Sequence, residues 1–242
     1  MRKKKLVSAR SAAALIVQQV LVDGAYTNIA INKYLRNNPM EDLERRLLTE
    51  LVYGTIKAVG TIDWYLQQCV TRPLDKIEKE ILSVLRISVY QLIYMARIPN
   101  SAACNEAVKL ARSLSNEGSA KFVNAVLRNL LRKQEAGEFQ LPNPDEDDAG
   151  YLSLKYFHPR WLIKRWLGPY GREGVERLLQ FDNTAAPVCL RTNTLTTTRE
   201  QLLNDLTEAG AECHSSQWSE DGIVCEKMPS LGSVFAKLEN VF

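Results

Sequence analysis

Between Glu78 and Tyr94 the residues Ile81, Leu82, Leu85, Val89, Leu92 and Ile93 return every three or four positions, which predicts a helix with one broad apolar stripe. A stripe of that width has to be covered by other stripes. The chain supplies them on both sides. Ser8 or Ser11 can cap a helix through Leu15, Ile16, Gln19 and Val20, and a short helix over about Asn28 to Leu35 buries Ile31 and Leu35. Glu41 to Val59 carries Leu43, Leu47, Leu48, Leu51, Val52 and Ile56, with Gly54 inside the pattern as a point of close packing. Gly60 marks a break before Ile62 to Val70, and Ala102 to Leu114 and Ser119 to Lys133 give two more helices with Gly118 between them. Asp23-Gly24, Asn38-Pro39, Thr71-Arg72-Pro73 and Ile98-Pro99-Asn100 punctuate the series. Stripes joined by such short connections are best buried as an all-helical bundle over residues 1–133, with no sheet.

The run from Lys133 to Gly150 holds two prolines, two glycines and many acidic residues, with Phe139 and Leu141 as its large apolar side chains. It buries too little to offset its ordering entropy, so residues 134–150 read as an acidic linker or long surface loop. Beyond it, Tyr151 to Gly168 and Gly171 to Gln180 read as helices interrupted at His158-Pro159. Pro187 to Asn193, Glu212 to Trp218 and Ile223 to Glu226 read as strands, with a helix over Thr197 to Ala209 that Thr198 can cap. The fold class is therefore mainly α, with a helical connector and a small, incomplete α/β segment in residues 151–242.

Charge divides the chain at the same place. Residues 1–133 hold 21 Lys and Arg against 11 Asp and Glu, a net +10, whereas residues 134–242 hold 10 against 17, a net −7. A basic first part suits a polyanion. The apolar runs are too short for a membrane span, and the basic start MRKKK is not followed by a signal-peptide core, so a cytoplasmic protein is expected. The five cysteines are odd in number and scattered, and with two isolated histidines they suggest neither a disulfide framework nor a metal site. No phosphate-cradling glycine loop of the GxxxxGK[ST] or GxGxxG type is present, and carboxylate pairs such as Glu78/Glu80 read as solvated helix surface. No catalytic residue is assigned.

Candidate RNA contacts follow from helical spacing. Lys121, Arg128 and Arg132 fall on one face of the last bundle helix, flanked by Asn124 and Asn129, while Phe122, Val123, Val126, Leu127 and Leu130 take the buried side. Lys3, Lys4, Lys5 and Arg10 add a basic start that could steer RNA.

Longer motifs carry a family resemblance. LLTELVYGTI (Leu47 to Ile56), LRISVYQLIYM (Leu85 to Met95), NEAVKLAR (Asn105 to Arg112), KFVNAVLRNLLR (Lys121 to Arg132), SLKYFHPRWLIKRWLGPYG (Ser153 to Gly171) and LRTNTL (Leu190 to Leu195) resemble the bacterial small-subunit ribosomal RNA methyltransferase B family, also called Sun or Fmu. Its front domain is similar to the antitermination factor NusB. The resemblance implies a NusB-like RNA-binding domain leading into a methyltransferase module. For the full-length protein it implies S-adenosylmethionine as cofactor and cytosine carbon 5 of small-subunit ribosomal RNA as target, with no membrane or DNA partner. Family chemistry looks to cysteines in Thr-Cys and Pro-Cys settings. Here the cysteines follow Gln68, Ala103, Val188, Glu212 and Val224, so the 242 residues alone are expected to bind RNA without methylating it. A stand-alone NusB-like antitermination-related protein and a helical protein-interaction module are the alternatives. Oligomeric state stays open.

Overall fold

A computed structural model describes residues 8–229 of the chain. Its described residues form two compact units that divide at Asp182/Asn183.

In the first unit, seven helices build the main core: α1 (Ala9–Leu21), α2 (Thr27–Asn37), α3 (Asp42–Lys57), α4 (Val59–Cys69), α5 (Lys79–Tyr94), α6 (Asn100–Leu114) and α7 (Glu117–Glu135). The apolar stripe between Glu78 and Tyr94 lies on α5, where Ile81, Val84, Leu85, Ile87 and Val89 are almost wholly buried and meet α1, α3, α4, α6 and α7. Small residues let α1 approach closely, with Ala9, Ala12 and Ala13 completely covered. Gly54 on α3 does the same against α5: an added Cβ there would sit 2.0 Å from Cζ of Tyr90.

Capping places several boundaries that periodicity alone left loose. Ser8 is the cap chosen for α1, its hydroxyl accepting from Ser11 N at 3.3 Å. Asn116 Oδ1 accepts from Ser119 N at 3.0 Å, so α7 begins at Glu117 and takes Gly118 into its first turn instead of leaving it between helices. The break between α3 and α4 falls at Ala58, with Gly60 inside the first turn of α4.

Residues 136–147 cross from α7 to α8 (Asp148–Tyr156) without regular helix, yet Phe139 packs on Tyr65 at 4.8 Å between ring centroids. Asp147 Oδ1 accepts from Gly150 N at 3.0 Å, so the end of the acidic run starts α8 three residues before Tyr151. Thr61 Oγ1 donates to Leu154 O at 2.8 Å, tying α4 to α8. The long α9 (Arg160–Asp182) follows the turn at Phe157 and bends at Gly171, whose φ of 64° and ψ of 171° suit glycine. Leu152, Ile163, Val175 and Leu179 form a smaller core between α8 and α9.

The second unit holds β1 (Val188–Arg191), α10 (Arg199–Glu208), β2 (Glu212–Ser215) and β3 (Gly222–Lys227). All pairing is antiparallel, in the order β1-β3-β2, with Leu190 opposite Ile223 and Cys213 opposite Cys225. Leu202 and Leu206 of α10 cover Ile223 and Cys225. β2 stops at Ser215, short of Trp218, because Ser216 N donates to Gly222 O and Gly222 N to Ser219 O, closing the hairpin.

Candidate nucleic-acid interface

The sequence pattern of α7 survives in three dimensions. Val123, Val126, Leu127 and Leu130 are buried, Phe122 is half-buried, and Lys121, Arg128 and Arg132 are exposed. What distinguishes these cations is how they are held. In the same unit Arg45 pairs with Asp42, Arg86 with Asp63, Lys109 with Glu106, Arg112 with Glu117 and Lys133 with Glu138. Arg128 Nε instead donates to Asn124 Oδ1 at 3.2 Å, and Arg132 Nη2 to Asn129 Oδ1 at 2.8 Å. Neutral amides orient the guanidinium groups and leave their charge uncompensated by any described carboxylate.

Asn129 also donates through Nδ2 to the carbonyl of Cys69 at 3.1 Å. Its amide is thus fixed between the end of α4 and Arg132, which it orients. Glu117, one turn before Lys121, is taken up by Arg112 at 2.6 Å, and that hydrogen bond holds its carboxyl below the usual range.

Two cations that helical spacing could not reveal join α7 from the α4–α5 turn. The Arg72 guanidinium lies 4.3 Å above the Phe122 ring, and Lys76 lines the same cleft of 310 Å³ with Asn116, Ser119 and Phe122. Glu78 is also on its wall and accepts from Ser115 Oγ at 2.9 Å. Arg72 stands fifty residues before Phe122, in a proline-bounded break, so no local pattern could pair them.

The remaining sequence candidates lie elsewhere. Arg10 is half-buried on α1, its Nε donating at 2.8 Å to Gln91 Oε1, itself a buried amide of α5. Lys3, Lys4 and Lys5 lie outside the described residues.

Three of the thiols are shifted away from reactivity. Burial pushes Cys69 up to about 11, moderated by the charges of Lys133 and Arg132, and raises Cys104 as well. Cys225 is pushed up to about 12 by burial and by its neighbour Cys213. A reactive cysteine needs the opposite shift. Among the described residues no three His, Cys, Asp or Glu side chains converge as a metal site, and no helix is long and apolar enough to cross a membrane.

Residues 7–132, just over half of the chain, match the NusB family model. The chain belongs to the NusB family. Beyond this NusB-like bundle, residues 158–231 match the RsmF/B-like methyltransferase ferredoxin-like domain, so the bundle is joined to the start of a methyltransferase-like region. The chain is 32% identical over 233 residues to the probable ribosomal RNA small subunit methyltransferase B of Bacillus subtilis (strain 168), covering 96% of this chain and 51% of the relative. It is 31% identical over 214 residues to ribosomal RNA small subunit methyltransferase B of Serratia proteamaculans (strain 568), covering 88% of this chain and 47% of that one. This NusB-family chain thus spans about half the length of the curated relatives it matches. Its fold is similar to that of the crystal structure of PH0851, with a TM-score of 0.64 at 22% identity over 94% of this chain and 50% of the other.

Proposed function

We propose that this chain is the RNA-binding front part of an S-adenosylmethionine-dependent cytosine-5 methyltransferase of small-subunit ribosomal RNA, and that it holds the RNA for methyl transfer elsewhere in the longer protein. The observation that carries the reading is the α7 face, where Lys121, Arg128 and Arg132 are exposed and the latter two are oriented by asparagines instead of neutralised by carboxylates. Arg72 and Lys76 extend that face toward the start of α7. Cations placed this way contact phosphates and fix the register of a nucleic acid on the protein.

The described residues do not themselves fit S-adenosylmethionine. Nucleotide-type cofactors sit at the carboxyl ends of parallel strands beside a glycine-rich turn. Here the sheet has three short antiparallel strands, and β1 leads into Thr192-Asn-Thr-Leu195 rather than into glycines. Methyl transfer is therefore assigned to the part of the longer protein that this chain does not span, and the purified 242 residues should transfer no methyl group from radiolabelled cofactor to RNA.

The test is RNA binding by the chain with Lys121, Arg128 and Arg132 all changed to Gln. Counterion release predicts that the slope of log affinity against log salt falls by about 2–3 and that affinity at low salt drops at least about tenfold. Circular dichroism should be unchanged, because all three side chains are exposed. Unaltered affinity and slope would reject this surface. Equal affinity for small-subunit ribosomal RNA and unrelated RNA of the same length would reject the ribosomal assignment and favour a general RNA-binding role.

A further inference from the structure

The acidic average of residues 134–242 conceals a basic and aromatic face on the first half of α9. Trp161 is 65% exposed, and Lys164 and Arg165 are exposed three and four residues later, on the same side of the helix. The opposite side is anchored: Ile163 is completely buried against Leu152, Val175 and Leu179. One further turn along the exposed face stands Gly168, where an added Cβ would meet nothing within 4 Å. The exposed face of α9 that carries the indole and the two cations is therefore open at its next turn as well.

Their charge is also uncompensated. Around them Lys155 pairs with Glu176, Arg160 with Asp147, Arg172 with Asp148 and Arg177 with Glu173. Lys164 and Arg165 form no ion pair with a described residue. The carboxylates in those pairs are held by other cations, and Lys164 and Arg165 stand within a turn of the solvent-facing Trp161.

We infer that the Trp161–Lys164–Arg165 face of α9 is a stacking site for single-stranded RNA, with a base on the indole and its flanking phosphates on the two cations. An unpaired strand supplies both a free π face and closely spaced negative charge, whereas a duplex keeps its bases stacked inside. A peptide would have to bring an acidic pair and an apolar side chain together to match the same surface. This site rests on the RNA-binding reading of the chain but is independent of the α7 face.

The experiment uses the whole chain with Trp218→Phe, which removes the other strongly exposed indole, and follows tryptophan fluorescence while a short oligouridylate or an RNA duplex is added. Binding of the single strand should quench Trp161. Trp161→Ala should weaken single-strand binding about tenfold, in the range typical of one stacked base, while Trp161→Phe retains most of the affinity. Lys164→Gln with Arg165→Gln should lower the single-strand salt slope by about 1.4. Duplex affinity should change little in the Trp161 variants. The α7 triple-Gln variant separates the two readings, since it should weaken RNA binding overall and keep the Trp161 quenching. Single-strand affinity unchanged in both α9 variants, while the α7 variant still weakens binding, would overturn this site alone and leave the face to a protein contact. Equal losses for single strand and duplex in Trp161→Ala would overturn the stacking role.

Discussion

Replacing Gly54 by Ala tests whether the α3–α5 contact is as tight as the structure shows. The new Cβ would lie 2.0 Å from Tyr90 Cζ and 2.1 Å from its hydroxyl, so the ring has to retreat by about 1.4 Å to reach an ordinary contact near 3.4 Å. That retreat breaks the 2.5 Å hydrogen bond from the Tyr90 hydroxyl to Glu50 Oε1 and disturbs the Tyr90–Tyr94 ring contact at 5.5 Å. Overpacking costs about 1–3 kcal/mol and the lost hydrogen bond about 1 kcal/mol, against a gain of about 1 kcal/mol from replacing glycine in a helix. Gly54→Ala should therefore destabilise the chain by about 1–3 kcal/mol in urea unfolding followed by helical circular dichroism. In a Tyr90→Ala background the obstacle is gone and only the helical gain remains, so the same substitution should stabilise by about 0.5–1 kcal/mol. A reversal of sign between backgrounds isolates the contact from general effects on α3. If Gly54→Ala stabilises the otherwise wild-type chain, or acts equally in both backgrounds, the close approach is refuted.

Asn129→Ala removes the amide that holds Arg132 without removing charge, so RNA affinity should fall about three- to tenfold with the salt slope intact; a changed slope would contradict a purely orienting role. Alkylation at pH 8 read by peptide mass should label exposed Cys189 first and Cys225, pushed up to about 12, last, with the difference lost in denaturant. Glu176 accepts from the Tyr156 hydroxyl at 2.6 Å and from Lys155 at 2.9 Å, and these bonds hold its carboxyl below the usual range. A depressed folded-state value gives stability that is present above the normal carboxylate range and lost as pH falls through the folded-state value. Glu176→Gln should therefore be less stable than wild type at neutral pH and converge with it in acid; a constant difference across that range would show that ionisation of Glu176 is not what stabilises this contact.

The cationic side of α7 was legible in the amino-acid order, because it depends on neighbours within a few turns of one helix, and Gly54 inside an apolar pattern signalled a close approach without naming Tyr90 of α5 as its partner. Also legible were the stripes that demanded a bundle and the acidic composition that thinned out regular structure after α7. Capping was half legible. Ser8, Asn116 and Asp147 are recognisable capping residues, but choosing among nearby candidates required knowing which backbone turn each side chain could reach.

Other relations depend on pairs far apart in the chain. Arg72 meets Phe122 only because the α4–α5 turn is folded against the start of α7, and Asn129 becomes an orienting group only because α4 ends beside it. Arg10 reads as part of a free basic arm until α5 presents Gln91 to it. The β1-β3-β2 order belongs to this class as well, since alternation identifies strands without naming their partners. Periodicity records which side of an element seeks cover, and the sequence by itself determined that much here. Which side chain provides the cover, and which charges and rings are then left facing water, as Trp161 is beside Lys164 and Arg165, was decided by tertiary packing, because those outcomes depend on distances between residues that no local pattern encodes.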